Sequence, residues 1–345
     1  MGDIFVGGDA PIALQSMTNT DTRDAEATVR QIRELAQAGC DIVRVAVPDE
    51  KAASVLADIK RQINIPLVAD IHFSAELALV AIRQGIDKLR INPGNIGSKK
   101  AVERLVKACK ERHIPIRIGV NAGSLEKDLL KKYGGTATPE AMVESALGHV
   151  ALLEENGFGD ILISLKASDV DRTVRAYRLL SAKVDYPLHI GITEAGTIFR
   201  GTVLSSMGLG ILLYDGIGDT MRVSLTAHPA EEIRVGKEIL KGLGLRKGGV
   251  TITSCPTCGR TEVDLIRLAR EVEEALLDVK KDIRVAVMGC VVNGPGEARE
   301  ADLAIVGGKG VGLIVRRGEI LRKVAEADLL GEFLEEVRAF ESARE

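Results

Sequence analysis

The chain has 345 residues, 46% of them hydrophobic, which is enough apolar material for two packed domains. Lys and Arg number 46 against 49 Asp and Glu, so no global field favours nucleic acid or an anionic membrane, and any anion site must be local. Aromatics at 3% with no Trp remove the stacking platforms of a single-strand nucleic-acid binder, and without a membrane-length apolar run or a secretion signal a cytoplasmic protein is expected.

From the start to residue 243, eight short β-branched runs follow one another: IALQSM, DIVRVAV, PLVADIH, DKLRIN, PIRIGVN, DILISLK, PLHIGIT and MRVSLT. Between them lie amphipathic segments with apolar residues at three- and four-residue spacing, among them Asp24 to Gly39, Ala101 to Arg112, Pro139 to Asn156 and Ala230 to Lys241. Eight such units predict a (β/α)8 TIM barrel over residues 1–243, with an open doubly wound sheet as the competing arrangement. The long polar interval between the fifth and sixth runs, GSLEKDLLKKYGGTATPE, predicts an added loop at the site.

The Gly- and Lys-rich stretch KGLGLRKGG, Lys241 to Gly249, separates this repeat from a small α/β domain over residues 244–345. There a strand GVTITSC, a helix from Thr261 to Asp278, a strand IRVAVMG, two short strands (Asp302 to Val306 and Gly312 to Arg316) and terminal helices are expected. GGKGVG in this part lacks the following Lys-Ser or Lys-Thr helix of a phosphate loop and reads as a hairpin turn.

Five Cys in a chain too large to need disulfide staples point to a reducing compartment. Cys40 and Cys109 sit in helix-like segments and read as small buried hydrophobes. The other three, Cys255 and Cys258 in a CxxC and Cys290 after Met-Gly, each follow a predicted strand, so adjacent strands would end them at one edge, as an iron-sulfur cluster or metal requires. A thioredoxin-like pair leaves Cys290 unused, and a structural zinc would want a fourth Cys or His, yet none of the five His lies in this domain. The Gly294-Pro295-Gly296 turn can aim Glu297 at the same centre, and a labile oxygen ligand would leave one iron open to substrate.

On the barrel, Arg44, Arg90, Arg117, Lys166 and Arg222 come from five different strands. Cations within barrel strands are costly unless paired or facing a ligand, so the set argues for a polyanion such as a phosphate ester. Asp70, His72, Asn92, Asn121, Ser168, Glu194 and Ser224 occupy matching strand ends and are candidates for orienting hydroxyls or moving protons.

The motifs APIALQSMTNTDT, DIVRVAVP, ADIHF, KLRINPGNIG, RIGVNAGSL, ISLKAS, HIGITEAG, SCPTCGRT and MGCVVNGPGEA, in this order from Ala10 to Ala298, closely resemble those of the 4-hydroxy-3-methylbut-2-enyl diphosphate synthase family in its bacterial two-domain form. The resemblance implies reductive opening of 2-C-methyl-D-erythritol 2,4-cyclodiphosphate, with two electrons delivered through a 4Fe-4S cluster from reduced flavodoxin or ferredoxin. It implies Cys255, Cys258, Cys290 and Glu297 as cluster ligands. Arg44, Arg90, Arg117, Lys166, Arg222 and Ser224 match diphosphate-binding positions, with Asn121 and His72 nearby. Glu194 matches an acid beside the reacting carbons, and Asn293 a contact to substrate or cluster ligand. It further implies a homodimer in which the cluster domain of one subunit covers the barrel mouth of the other, closing about a hinge at Lys241 to Gly249. The chain opens at MGDIFVGGDAP where the family's pattern has a basic leader and a short strand, which leaves the plug of the barrel floor as an open point. Two other readings stand beside this one: a pteroate-synthase-type barrel transferase with a structural zinc domain, and a non-catalytic metal-binding adaptor.

Overall fold

In a computed structural model the chain divides into two compact units, Met1–Arg246 and Lys247–Glu345. The structure describes residues 1–72, 74–92, 96, 98–292 and 294–342.

The first unit alternates strand and helix: β1 (Ala13–Met17), α1 (Ala25–Ala38), β2 (Ile42–Ala46), α2 (Glu50–Ser54), α3 (Leu56–Arg61), β3 (Leu67–Asp70), α4 (Ala75–Arg83), β4 (Lys88–Ile91), α5 (Lys99–Arg112), β5 (Ile116–Asn121), α6 (Lys127–Lys132), α7 (Pro139–Glu155), β6 (Ile161–Lys166), α8 (Val170–Ser181), β7 (His189–Ile190), α9 (Ile198–Tyr214), β8 (Thr220–Met221) and α10 (Pro229–Gly242). All eight expected strands form. They pair in parallel in the order β6-β5-β4-β3-β2-β1-β8-β7, and a bridge between Ile163 and Leu188 joins β6 to the start of β7, so the sheet closes into a barrel rather than lying open. The polar interval after β5 holds a 3-10 turn (Ala122–Ser124) and α6.

Local chemistry explains the helix limits. Asp24 caps α1 by accepting from the Ala27 amide at 3.0 Å, and Gly39 ends it at φ 100°, a left-handed position that glycine tolerates. Thr138 and Asp169 cap α7 and α8 in the same way.

The strands divide their side chains by parity. Outward positions are aliphatic and fully buried against the helices, as with Val43 and Val45, Leu67 and Ala69, Ile116 and Ile118, and Ile163 and Leu165. Inward positions carry the polar residues Arg44, Asp70, Arg90, Arg117 and Lys166, whose side chains line a cavity. At the other end Met1 and Ile4 pack on Ala13, Ile42 and Val68, so a short N-terminal segment plugs the barrel floor without an additional strand. Cys40 and Cys109 are buried among aliphatics, which pushes both thiols up to about 12, as their reading as hydrophobes requires. This unit runs on to Arg246, whose guanidinium forks onto both carboxylate oxygens of Asp41 at 2.9 Å.

The second unit comprises β9 (Val250–Ser254), α11 (Leu265–Ala275), β10 (Ile283–Met288), α12 (Gly294–Glu300), β11 (Leu303–Gly308), β12 (Val311–Arg316), β13 (Glu319–Ala325) and α13 (Leu329–Ser342). Its sheet runs β13-β12-β11-β10-β9, parallel through β9, β10 and β11 and antiparallel beyond. α11 and α13 cover one face through Leu268, Val272, Phe333 and Val337, and Ala298 of α12 packs on the other. GGKGVG is the β11–β12 hairpin, with Gly310 at φ 69°.

Two expectations fail here. β13 is an additional strand where helix was expected, because its edge position leaves it largely exposed and its charged sequence EILRKVA hides the pattern. The Gly294-Pro295-Gly296 segment is not a turn but the start of α12. Proline fits a first helical turn, where no amide partner is lost, and Gly294 is required because a Cβ there would collide with Val306 on β11.

Candidate functional site

At the C-terminal end of the barrel lies a cavity of about 100 Å³. Arg44, Arg90, Arg117, Lys166 and Arg222, expected as an anion site, all line it, and so do His72, Asn121 and Ser224. Asp70, Ser164 and Thr193 complete the lining.

Two carboxylates arrange the cations. Asp70 accepts from Arg90 Nη1 at 3.1 Å and lies 3.7 Å from Arg44 Nε. Burial acts to raise its carboxyl, but the charges of Arg44 and Arg90 and a hydrogen bond from His72 outweigh this, so Asp70 stays ionised well below the usual carboxylate range. Glu232, reaching in from α10, takes Arg222 through both nitrogens at 3.0 Å and also accepts from Ser16 Oγ at 2.8 Å. His72 Nε2 lies 2.8 Å from Arg90 Nη1.

The remaining cations, Arg117 and Lys166, have no carboxylate of their own among the described residues. Lys166 Nζ lies 3.1 Å from His189 Nε2 and His189 Nδ1 2.8 Å from Thr220 Oγ1, so a buried imidazole, kept neutral by burial and the surrounding cations, braces the lysine. Arg117 is only 1% exposed, and its Nε and Nη1 have no partner among the described residues. Burial, reinforced by neighbouring Arg44 and Arg90, pushes its guanidinium well below the ordinary value; burial and the same crowding of cations do likewise to Lys166 and bring Arg44 down to about 10. A multiply charged anion entering this cavity relieves that repulsion, so the site is organised for its ligand before binding.

Two glycines make the room. A Cβ at Gly191 would lie 2.7 Å from both Lys166 Nζ and the Arg222 carbonyl, and one at Gly119 would collide with the Arg90 guanidinium.

The other expected residues are not brought into this cavity. Glu194 follows β7, exposed, with φ 52°, a left-handed conformation rarely held by a non-glycine residue and characteristic of functional sites. Asn92 is buried and Ser168 exposed; neither lines the cavity.

In the second unit Cys255 and Cys290 follow the parallel neighbours β9 and β10, and the Gly289 amide donates to Cys255 Sγ at 3.3 Å. Cys258 lies in the exposed loop after β9, where the Arg260 amide and guanidinium lower its thiol. Glu297 is exposed in the first turn of α12, and Asn293 lies outside the described residues. Among the described residues no three Cys, His, Asp or Glu side chains converge tightly enough to hold a single metal ion.

Residues 1–237 match the GcpE TIM-barrel domain and residues 251–339 the GcpE protein C-terminal domain. The chain belongs to the GcpE family. This GcpE chain is 63% identical over 97% of its length to a Clostridium perfringens protein named 4-hydroxy-3-methylbut-2-en-1-yl diphosphate synthase (flavodoxin), covering 95% of that protein. A Geobacter sulfurreducens protein of the same name is 64% identical over 98% of the chain and 95% of its own length. Among solved structures, a Yersinia pestis dihydropteroate synthase superposes on 70% of the chain and 98% of its own length with TM-score 0.46 and 11% identity, too distant to speak to activity.

Two lining residues of the GcpE cavity, Ser164 and Thr193, escaped sequence reasoning, and so did His189 and Glu232, which brace its cations from behind. His189 and Glu232 read as a strand start and a helix surface, and only tertiary structure brings them to Lys166 and Arg222. Thr193 had a signal: it precedes Glu194 and shares inward parity with Gly191.

Proposed function

We propose that this protein reductively opens 2-C-methyl-D-erythritol 2,4-cyclodiphosphate to 4-hydroxy-3-methylbut-2-enyl diphosphate in isoprenoid precursor synthesis, consuming two electrons and releasing water. The observation that carries the reading is the convergence of five cations from five strands on one small cavity in a chain of the GcpE family. Arg44, Arg117 and Lys166 would bind the diphosphate, Arg90 and Arg222 being held in place by Asp70 and Glu232. Asn121, Ser224 and His72 would orient its ester oxygens and hydroxyls, and Glu194 would hold or donate a proton at the rim.

The cysteine set fits an iron-sulfur cluster. Two thiols at the ends of adjacent strands, one already accepting an amide hydrogen bond, and a third on an exposed loop suit a group wider than a single ion. Cys255, Cys258, Cys290 and Glu297 would hold a 4Fe-4S cluster, which when bound supplies electrons one at a time. The donor we infer is flavodoxin, as in the relatives' name, and the five unpaired cysteines suit the cytoplasm. No helix is long and apolar enough to cross a membrane among the described residues.

Anaerobic purification and turnover of the cyclic diphosphate with an artificial reductant tests this. A brown protein with broad absorption near ~400 nm and about four irons per chain is expected, with product formed. One tightly bound zinc, and no iron after anaerobic reconstitution, would sink it.

A homodimer is part of the same reading. α9 carries Phe199, Val203, Met207, Ile211 and Tyr214 along one exposed stripe, opposite the face that buries Gly201, Ser205, Leu209 and Leu212. An apolar stripe of this length on a helix surface is suited to a second copy. Met207→Glu is expected to give monomers in sedimentation; an unchanged dimer would move the interface elsewhere.

A further inference from the structure

One step deeper than the cavity, the barrel interior holds buried polar atoms with no partner among the described residues. Lys88 precedes Arg90 by two residues on β4, so it shares the inward face and lies nearer the floor. It is fully buried, and its Nζ has no partner among the described residues. On the neighbouring strand, Arg117 stands in register with Arg90, and its Nε and Nη1 are also buried and unpartnered. Gln15 on β1 shares the inward parity of Met17, whose sulfur meets Arg44; both atoms of its amide are buried with no partner among the described residues.

The charges acting on Lys88 are those of Arg117 and Arg44, and both repel it. Asp70 and Glu232 are committed to the arginines above. Two adjacent buried cations with no counter-charge of their own among the described residues are among the costliest arrangements a protein interior can hold. Buried unpaired donors in native proteins generally mark an ordered water or an ion that completes the site.

We propose that the barrel holds a second, structural anion beneath the substrate cavity, a single halide ion received by Lys88 Nζ, the buried guanidinium edge of Arg117 and the amide nitrogen of Gln15. All three side chains are 1% exposed or less, which favours a single small ion over a phosphate as the occupant. Its role is to neutralise the floor, so that Arg117 stays charged toward the ligand above. Without the ion, burial and Arg117 drive the Lys88 ammonium toward the neutral amine.

The test uses full-length protein crystallised from chloride-free gluconate with inorganic pyrophosphate filling the upper cavity, then soaked in sodium bromide. An anomalous bromine peak within about 3.5 Å of Lys88 Nζ and Arg117 is expected, together with its loss in Lys88→Met. In solution, bromide replacing gluconate at constant ionic strength should raise the wild-type melting temperature by about 2–4 °C and leave Lys88→Met unmoved. No peak at Lys88 overturns the proposal, as does bromine density confined to the upper cavity and displaced by pyrophosphate, an adventitious ion only. A bromide response retained by Lys88→Met overturns it equally, and if that variant fails to fold, the wild-type map decides alone.

Discussion

Glu297→Ala is expected to fold normally, to retain much of its iron and to lose reductive turnover by about 100-fold. The separation of these effects follows from where Glu297 sits. It is exposed in the first turn of α12, and its carboxylate bonds to no side chain among the described residues, whereas Gly294 and Ala298 make the helix's packing contacts. An exposed substitution of this kind changes stability by less than about 0.5 kcal/mol, and Ala is a better helix former than Glu. A loss of turnover therefore cannot come from unfolding, and three thiolates remain to retain iron. Iron content, thermal melting and anaerobic turnover measured on one preparation check this. Undiminished turnover would remove Glu297 from the chemistry.

The second large effect is expected at Arg117, with opposite signs for stability and function. Arg117→Met replaces a buried guanidinium, crowded by Arg44 and Arg90 and with no carboxylate of its own among the described residues, by an apolar chain of similar length. Removing the desolvated charge should leave the protein as stable or raise its melting temperature by a few degrees, most clearly in halide-free buffer. The same change deletes a charge-assisted contact worth about 1.5–3 kcal/mol to the ligand, so pyrophosphate binding should fall roughly 10- to 100-fold and turnover at least as far. Calorimetric titration of pyrophosphate into the protein reads binding without requiring electrons. A strongly destabilised variant, or one that binds pyrophosphate as wild type does, would contradict the description of the site as a set of strained, uncompensated cations.

Much of this was legible in the sequence because parallel barrel strands leave a strong trace. Their outward residues are nearly all aliphatic, so an Arg or Lys in such a run stands out, and Arg44, Arg90, Arg117, Lys166 and Arg222 were visible for that reason. Lys88 was not read, since a lysine at a strand's first residue looks like a solvated end; its two-residue offset from Arg90 was the overlooked clue. His189 and Glu232 were illegible in principle, because their partners lie on different elements. β13 escaped because an exposed edge strand needs little apolar content, and α12 because Gly-Pro-Gly describes a turn and a helix start equally well.

Glu232 has a consequence beyond orienting Arg222. It is held by Ser16 on the first strand and by Arg222 at the end of the last, and β1 and β8 are neighbours there. One carboxylate thus arms the ligand site and bolts the barrel's seam, where the beginning and end of the repeat meet. A circularly permuted or split version of this barrel cut between β8 and α10 would separate Arg222 from the helix that carries its carboxylate, and is expected to loosen the seam and the ligand site together.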